Sequence, residues 1–227
     1  MADRALRLTG PIVAAAALAA ALGFPPEPND SPVGPDFGTA RSDVPTGTAA
    51  PAGPQDPAEG HASAGPHSPR DAAQAPPPPV RVLAPGVGLD ARVGPVGVTA
   101  EGDMAVPEDP SEAGWYRYGP APGGDRGSAV LVGHVDDDTG EIGEFAALYD
   151  VRPGDRIEVR RAQAEPVRYR VVARETVPKD EPPASVFRRS GAPVLTLITC
   201  APPFVPERGG YLSNLVVTAE PVESGRA

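Results

Sequence analysis

The chain has 227 residues, among them 32 prolines, 26 glycines and one cysteine, and it carries a formal net charge of -10. A nucleic acid or an anionic membrane surface demands clustered Lys and Arg, so this balance argues against both as partners. The lone cysteine, Cys200, excludes an intramolecular disulfide, and the fold must stand on its core.

In chain order, residues 1–24 come first: Arg4 and Arg7, then an apolar, alanine-rich run from Ile12 to Leu22 that ends at Gly23 and Phe24. This is an export signal. Its apolar core is shorter than the roughly 20 residues of a spanning helix, but counting from Leu8 to Phe24 reaches the lower limit. Ala19-Ala20-Ala21 suits a signal peptidase, and the alanine richness and Pro11 weaken a stable anchor. Both fates stay open, an uncleaved single-pass anchor being the expectation and a cleaved, secreted form its alternative. In either case the arginines keep the N-terminus inside and place the remainder of the chain outside the cell.

Residues 25–79 hold about half of all the prolines, including the tetrad Pro76-Pro77-Pro78-Pro79, and no long apolar run. Such a segment cannot bury enough surface to pack, and it reads as a disordered linker. In extended polyproline geometry it would reach on the order of 100 Å or more. A tether through a cell wall is the expectation, a spacer with no specific role the bland alternative. His61 and His67 lie here and are expected to be inert.

From Val80 to Val222 the pattern becomes short β-type runs broken by turn residues, the size of one ordinary domain, with a short disordered tail over 223–227. Strands are expected over Leu89–Val98, Ala129–His134, Arg156–Val159, Arg168–Val177, Val194–Cys200 and Leu215–Ala219. Arg152-Pro153-Gly154-Asp155 signals a turn ahead of the alternating Ile157-Glu158-Val159. Two brief helical turns are expected, near Glu144–Tyr149 and Ala184–Arg189. The fold class is therefore all-β, and short strands that need their edges protected imply a closed or nearly closed barrel.

This domain contains one cysteine and one histidine, Cys200 and His134, each at the end of an apolar strand candidate. An imidazolium or guanidinium beside a thiol favours the nucleophilic thiolate, and histidine can return the proton to a leaving amine. Taken singly, each residue has a bland reading, a small buried apolar cysteine and a structural histidine. Export alters that balance, because an unpaired thiol outside the cell is unusual.

The residues at this point resemble the sortases, most closely the actinobacterial class F, with class E the next possibility. The resemblance runs from about Arg92 to Ala219. It rests on Gly114-Trp-Tyr-Arg117, Ala129-Val-Leu-Val-Gly-His-Val-Asp136, Arg152-Pro-Gly-Asp155, Lys179-Asp180, Leu195-Thr-Leu-Ile-Thr-Cys200 and Tyr211-Leu-Ser-Asn-Leu-Val-Val217. It implies an eight-stranded sortase-type barrel and no cofactor. The implied partners are surface proteins bearing an LPxTG-like sorting signal, cleaved between Thr and Gly, and a cell-wall amine that receives them.

The family also implies an arginine about a dozen positions after the cysteine, near the start of the last strand. Here Asn214 or Ser213 stands at that place, and the only arginine between Cys200 and the last strand is Arg208. Arg208 is the residue expected to hold the substrate or the oxyanion, Asn214 the alternative donor. The acidic run Asp136-Asp137-Asp138 with Glu141 and Glu144 lacks calcium-loop spacing and reads as a solvated loop. Two rival readings remain. One is another extracellular cysteine peptidase, whose Ser-His-Gly-Cys or Cys-Gly-x-Cys contexts are missing. The other is a catalytically silent wall-binding or structural module on a Pro-rich stalk.

Overall fold

The structure, a computed structural model, describes residues 35–38 and 76–222. The signal segment 1–24, the rest of the linker and the tail 223–227 lie outside the described residues. Among the described residues no helix is long and apolar enough to cross a membrane.

Eight strands close into a barrel. They are β1 (Pro79–Ala84), β2 (Leu89–Val96), β3 (Glu112–Tyr116), β4 (Ser128–Gly133), β5 (Arg156–Arg161), β6 (Ala164–Pro178), β7 (Val194–Val205) and β8 (Gly210–Pro221). Two 3-10 helices interrupt them, η1 (Glu144–Asp150) and η2 (Pro206–Arg208). The order around the barrel is β1-β2-β3-β4-β7-β8-β6-β5. The β2–β3 and β4–β7 pairs are parallel and the rest antiparallel. Closure gives every strand a partner on each side over at least part of its length.

The period-2 alternation of side chains decides what fills the interior. Leu195, Leu197 and Ala201 of β7 and Leu215, Val217 and Ala219 of β8 point into one buried cluster with Val82, Leu89, Leu131, Ile157 and Val171. Phe145 and Leu148 of η1, both fully buried, belong to the same cluster. The intervening residues of β7 and β8 face outward. There Val130, Val177, Val186, Ile198 and Val216 make a second, smaller apolar cluster outside the barrel wall. The two faces of β7 thus serve different purposes, one the core and one the floor of a groove.

All six expected strands are present, most of them longer than the sequence pattern marked, β6 and β7 by about five residues each. The sequence reading lacks β1 and β3. β1 starts at the last proline of the tetrad, and the Glu-Ala-Gly-Trp-Tyr of β3 carries small residues that a propensity argument discounts. Gly114 is required there: a Cβ would lie 2.8 Å from both methyls of Val96 on the neighbouring strand. The turn before β5 is as expected, with Gly154 at φ +91 and the Arg152 amide donating to the Asp155 carboxylate at 2.8 Å. The Glu144–Tyr149 turn is η1. The Ala184–Arg189 stretch makes turns without a helix, the Val186 amide donating to Pro183 O at 3.0 Å.

Eight residues of the stretch read as a linker are described, 35–38 and 76–79, the last of which, Pro79, already belongs to β1. Phe37 forms an antiparallel bridge with Arg174 of β6 and packs against the barrel core.

Candidate active site

The placement of the thiol and the imidazole follows from one strand pairing. β4 and β7 run parallel with Val130 opposite Thr196 and Val132 opposite Ile198. Two residues further along each strand come His134 and Cys200, so they leave the ladder level with each other and at the same end. Residues two apart share a face, which puts Cys200 outside the barrel, above Ile198. Both residues line one groove of about 740 Å³. Its floor is the outer apolar cluster, its walls the β2–β3 connection with Met104 and Val106 and the β6–β7 connection with Pro182, Pro183 and Phe187.

Two glycines seat His134. A Cβ on Gly133 would stand 2.6 Å from the Phe145 ring, and one on Gly143 would stand 2.3 Å from the carbonyl oxygen of His134. The His134 strand end can lie against η1 only because both lack side chains. The ring is held from the other side, Nε2 lying 2.6 Å from Pro107 O in the β2–β3 connection. A carbonyl only accepts, so we assign the proton to Nε2, which leaves Nδ1 as the nitrogen free to exchange protons when the ring is neutral.

Cys200 is a free, half-buried thiol. Tyr149 of η1 donates from its hydroxyl to Cys200 O at 2.8 Å. Burial first, then the Cys200 and Asp136 charges, push the Tyr149 hydroxyl up to about 12, so it stays a donor throughout the neutral range. Tyr211 braces the neighbouring loop, donating to Asp136 Oδ2 at 2.6 Å. Burial is again the main cause of its raised pKa, followed by the Asp136 hydrogen bond.

The residue opposite Cys200 on β8 is Asn214, a direct Cα partner in the ladder. Directly opposed residues share a face, and Asn214 lines the groove with Cys200 and His134. Ser213 pairs with Ala201, on the face that points inward. Arg208, the arginine singled out in the sequence, sits exposed at the end of η2 in the β7–β8 connection and does not line the groove. The structure therefore brings Cys200, His134 and Asn214 to one groove, and leaves Arg208 outside its lining. Tyr149 and Pro107 had no signal in the sequence, since one acts through a remote backbone carbonyl and the other is itself one.

The acidic run is occupied structurally. Asp137 accepts from Thr139 N at 2.8 Å, Thr139 Oγ1 at 2.7 Å and Glu141 N at 2.9 Å, and these bonds hold its carboxyl below the usual carboxylate range. Asp136 takes the Tyr211 hydroxyl, and Glu144 accepts from Asp90 N at 3.2 Å. No cluster of three or more His, Cys, Asp or Glu suited to a metal occurs among the described residues.

A closed barrel that delivers a thiol and an imidazole to one end of an apolar groove outlines a candidate cysteine acyl-transfer centre. The sortase domain family matches residues 82–222, and the chain belongs to the sortase family, known as cysteine transpeptidases. Among solved structures the chain is similar to sortase C1 of Streptococcus agalactiae, with 20% identity over 64% of this chain and 68% of that one and a TM-score of 0.50. It is also similar to a lid mutant of sortase A from Corynebacterium diphtheriae, with 22% identity over 68% of this chain and 75% of that one and a TM-score of 0.50. At these identities the likeness speaks for the fold alone. No curated protein matches the chain.

Proposed function

We propose that the chain is a sortase cysteine transpeptidase that cleaves an LPxTG-like sorting signal between Thr and Gly and passes the acyl group to a cell-wall amine. The observation that carries this reading is the parallel register of β4 with β7, which brings the only cysteine of the chain level with the only histidine of the described residues in one apolar groove. An apolar floor flanked by Pro182, Pro183 and Phe187 suits the leucine and proline of such a signal.

In this reading the Cys200 thiolate attacks the Thr carbonyl carbon. The oxyanion collapses, the Thr–Gly C–N bond breaks, and the departing amine takes a proton from the His134 imidazolium. An incoming amine then attacks the thioester, gives its extra proton to His134 and releases the thiolate. The Asn214 amide, on the same face as Cys200, donates to the oxyanion, while Arg208 in the exposed β7–β8 connection draws in and orients the signal. The class F likeness, with class E next, belongs to this proposal. So does a cell-membrane location with the barrel outside, held by residues 1–24 as a single-pass anchor.

The test is to offer the full chain a panel of sorting peptides and amines. Cleavage after Thr with amine-dependent product supports the reading. A silent wall-binding module would leave every peptide intact and Cys200 slow to alkylate whatever stands at position 134.

A further inference from the structure

β6 is the longest strand, and its two edges are covered to different lengths. On one side it pairs with β8 from Tyr169 to Pro178; on the other, pairing with β5 stops at Arg170. The turn before β5 still reaches Val171, whose amide donates to Asp155 O at 2.9 Å and whose carbonyl accepts from Gly154 N at 2.8 Å. From Val172 onward no strand of the barrel lies on that edge. An uncovered edge offers a row of backbone donors and acceptors to any extended peptide.

Residues 35–38 take this edge. The Phe37 amide donates to Arg174 O at 2.9 Å, and the Arg174 amide donates to Phe37 O at 2.8 Å. The Asp36 carboxylate accepts from Thr176 N at 3.0 Å and from its hydroxyl at 3.4 Å. The Arg174 side chain, 4% exposed, donates to Pro35 O at 3.1 Å and lies 5.2 Å from the Phe37 ring centroid. Gly38 closes the contact at φ +69, where a Cβ would stand 2.3 Å from Val172 O, so no other residue fits without a shift. Each of the four residues therefore makes its own contact with β6, which a non-specific spacer has no reason to do.

We infer that Pro35-Asp36-Phe37-Gly38 is a docking peptide for the uncovered edge of β6, and that it fixes where the tether leaves the barrel. The link from the hydrophobic segment to the folded domain is then the ten residues 25–34 rather than the whole of 25–79. Ten residues span at most about 36 Å, against the order of 100 Å for the full stretch. The docking stands on the contacts alone; the short tether rests in addition on reading residues 1–24 as a membrane anchor.

The experiment uses the full chain, in detergent and in vesicles of phosphatidylglycerol and phosphatidylcholine. Hydrogen exchange should show the amides of Phe37, Arg174 and Thr176 protected, and Gly38→Val should speed exchange at these sites by about tenfold or more while the other strands keep theirs. Wild-type residues 35–38 exchanging as fast as a free peptide of the same sequence would overturn the docking. Protection that grows with protein concentration alongside a dimer mass would overturn it as an intramolecular contact. For the tether, Cys200 carries a maleimide dye and the lipid an acceptor. Energy transfer should fall in Gly38→Val, and equal transfer in both proteins overturns the short link. If the chain fails to float with vesicles, the anchor reading and the short link fall together, while exchange still decides the docking.

Discussion

The two sides of the groove head are built differently. On one side β4 and β7 run in unbroken parallel register, and the residues that come after Val132 and Ile198 inherit their level from the ladder. On the other side β7 and β8 keep register only as far as Ala201 opposite Ser213, then slip before Phe204 meets Tyr211, and η2 turns the chain between them. Hydrogen-bonded ladders fix both position and face, so the thiol and imidazole are set by strand geometry. Past a slip, sequence spacing no longer says which face a side chain takes. That is why Cys200 and His134 come level in one groove, and why Arg208 ends in the connection outside its lining while Asn214 stands opposite Cys200.

The largest break in this comparison is chemical. Cys200→Ala should abolish cleavage and transfer together while thermal melting stays within a few degrees of wild type, because Cys200 faces the groove and not the barrel core. Residual turnover, or a protein that no longer melts cooperatively, would remove Cys200 from the role of nucleophile. Next comes the contrast between the ladder and the β7–β8 connection. Asn214→Ala should slow acylation by roughly 100-fold, the scale for losing one preorganised donor, and Arg208→Ala by only about tenfold, through binding. Single-turnover acylation rates decide the order, and a severe Arg208→Ala with a mild Asn214→Ala would return the oxyanion to Arg208.

A smaller effect sharpens the rigid side. Gly143→Ala places a Cβ against the His134 carbonyl, and overpacking of this kind costs about 1–3 kcal/mol. Turnover should fall with the melting temperature, and a variant as stable and active as wild type would show that the His134 backbone is not held by that contact. The smallest effect lies in the acidic loop. The Asp137 carboxyl is held down first by the Thr139 hydroxyl and then by backbone amides. A carboxyl whose folded-state pKa is depressed contributes stability above its ordinary pKa and loses it as pH falls through the lowered value. The melting difference between wild type and Asp137→Ala should therefore be slight and constant near neutrality and vanish in acid. A difference that grew as the pH fell would contradict the assignment.

The sequence made the barrel legible where alternation was strong. Val194-Leu-Thr-Leu-Ile-Thr and Ala129-Val-Leu-Val declared both the strands and the strand ends that carry the chemistry. It hid β1 and β3, whose register is imposed by neighbours across the barrel and whose residues, Pro79 and Gly114 among them, argue locally against a strand. It hid the groups that orient the site, because the Pro107 carbonyl and the Tyr149 hydroxyl act across 27 and 51 residues of chain. Composition was also blind inside the Pro-rich stretch, where four residues find partners on β6 that no local pattern announces.

The central claim is that Cys200 becomes acylated by a sorting signal with His134 managing the proton. Intact mass of the full chain, quenched during reaction with an LPxTG-type peptide and then chased with an amine, tests it most directly. The account predicts a mass gain equal to the signal truncated after Thr, located on Cys200, lost on adding amine, and strongly reduced in His134→Ala. A chain that cleaves the peptide with no adduct on Cys200, or that never gains mass with any sorting peptide, would contradict it.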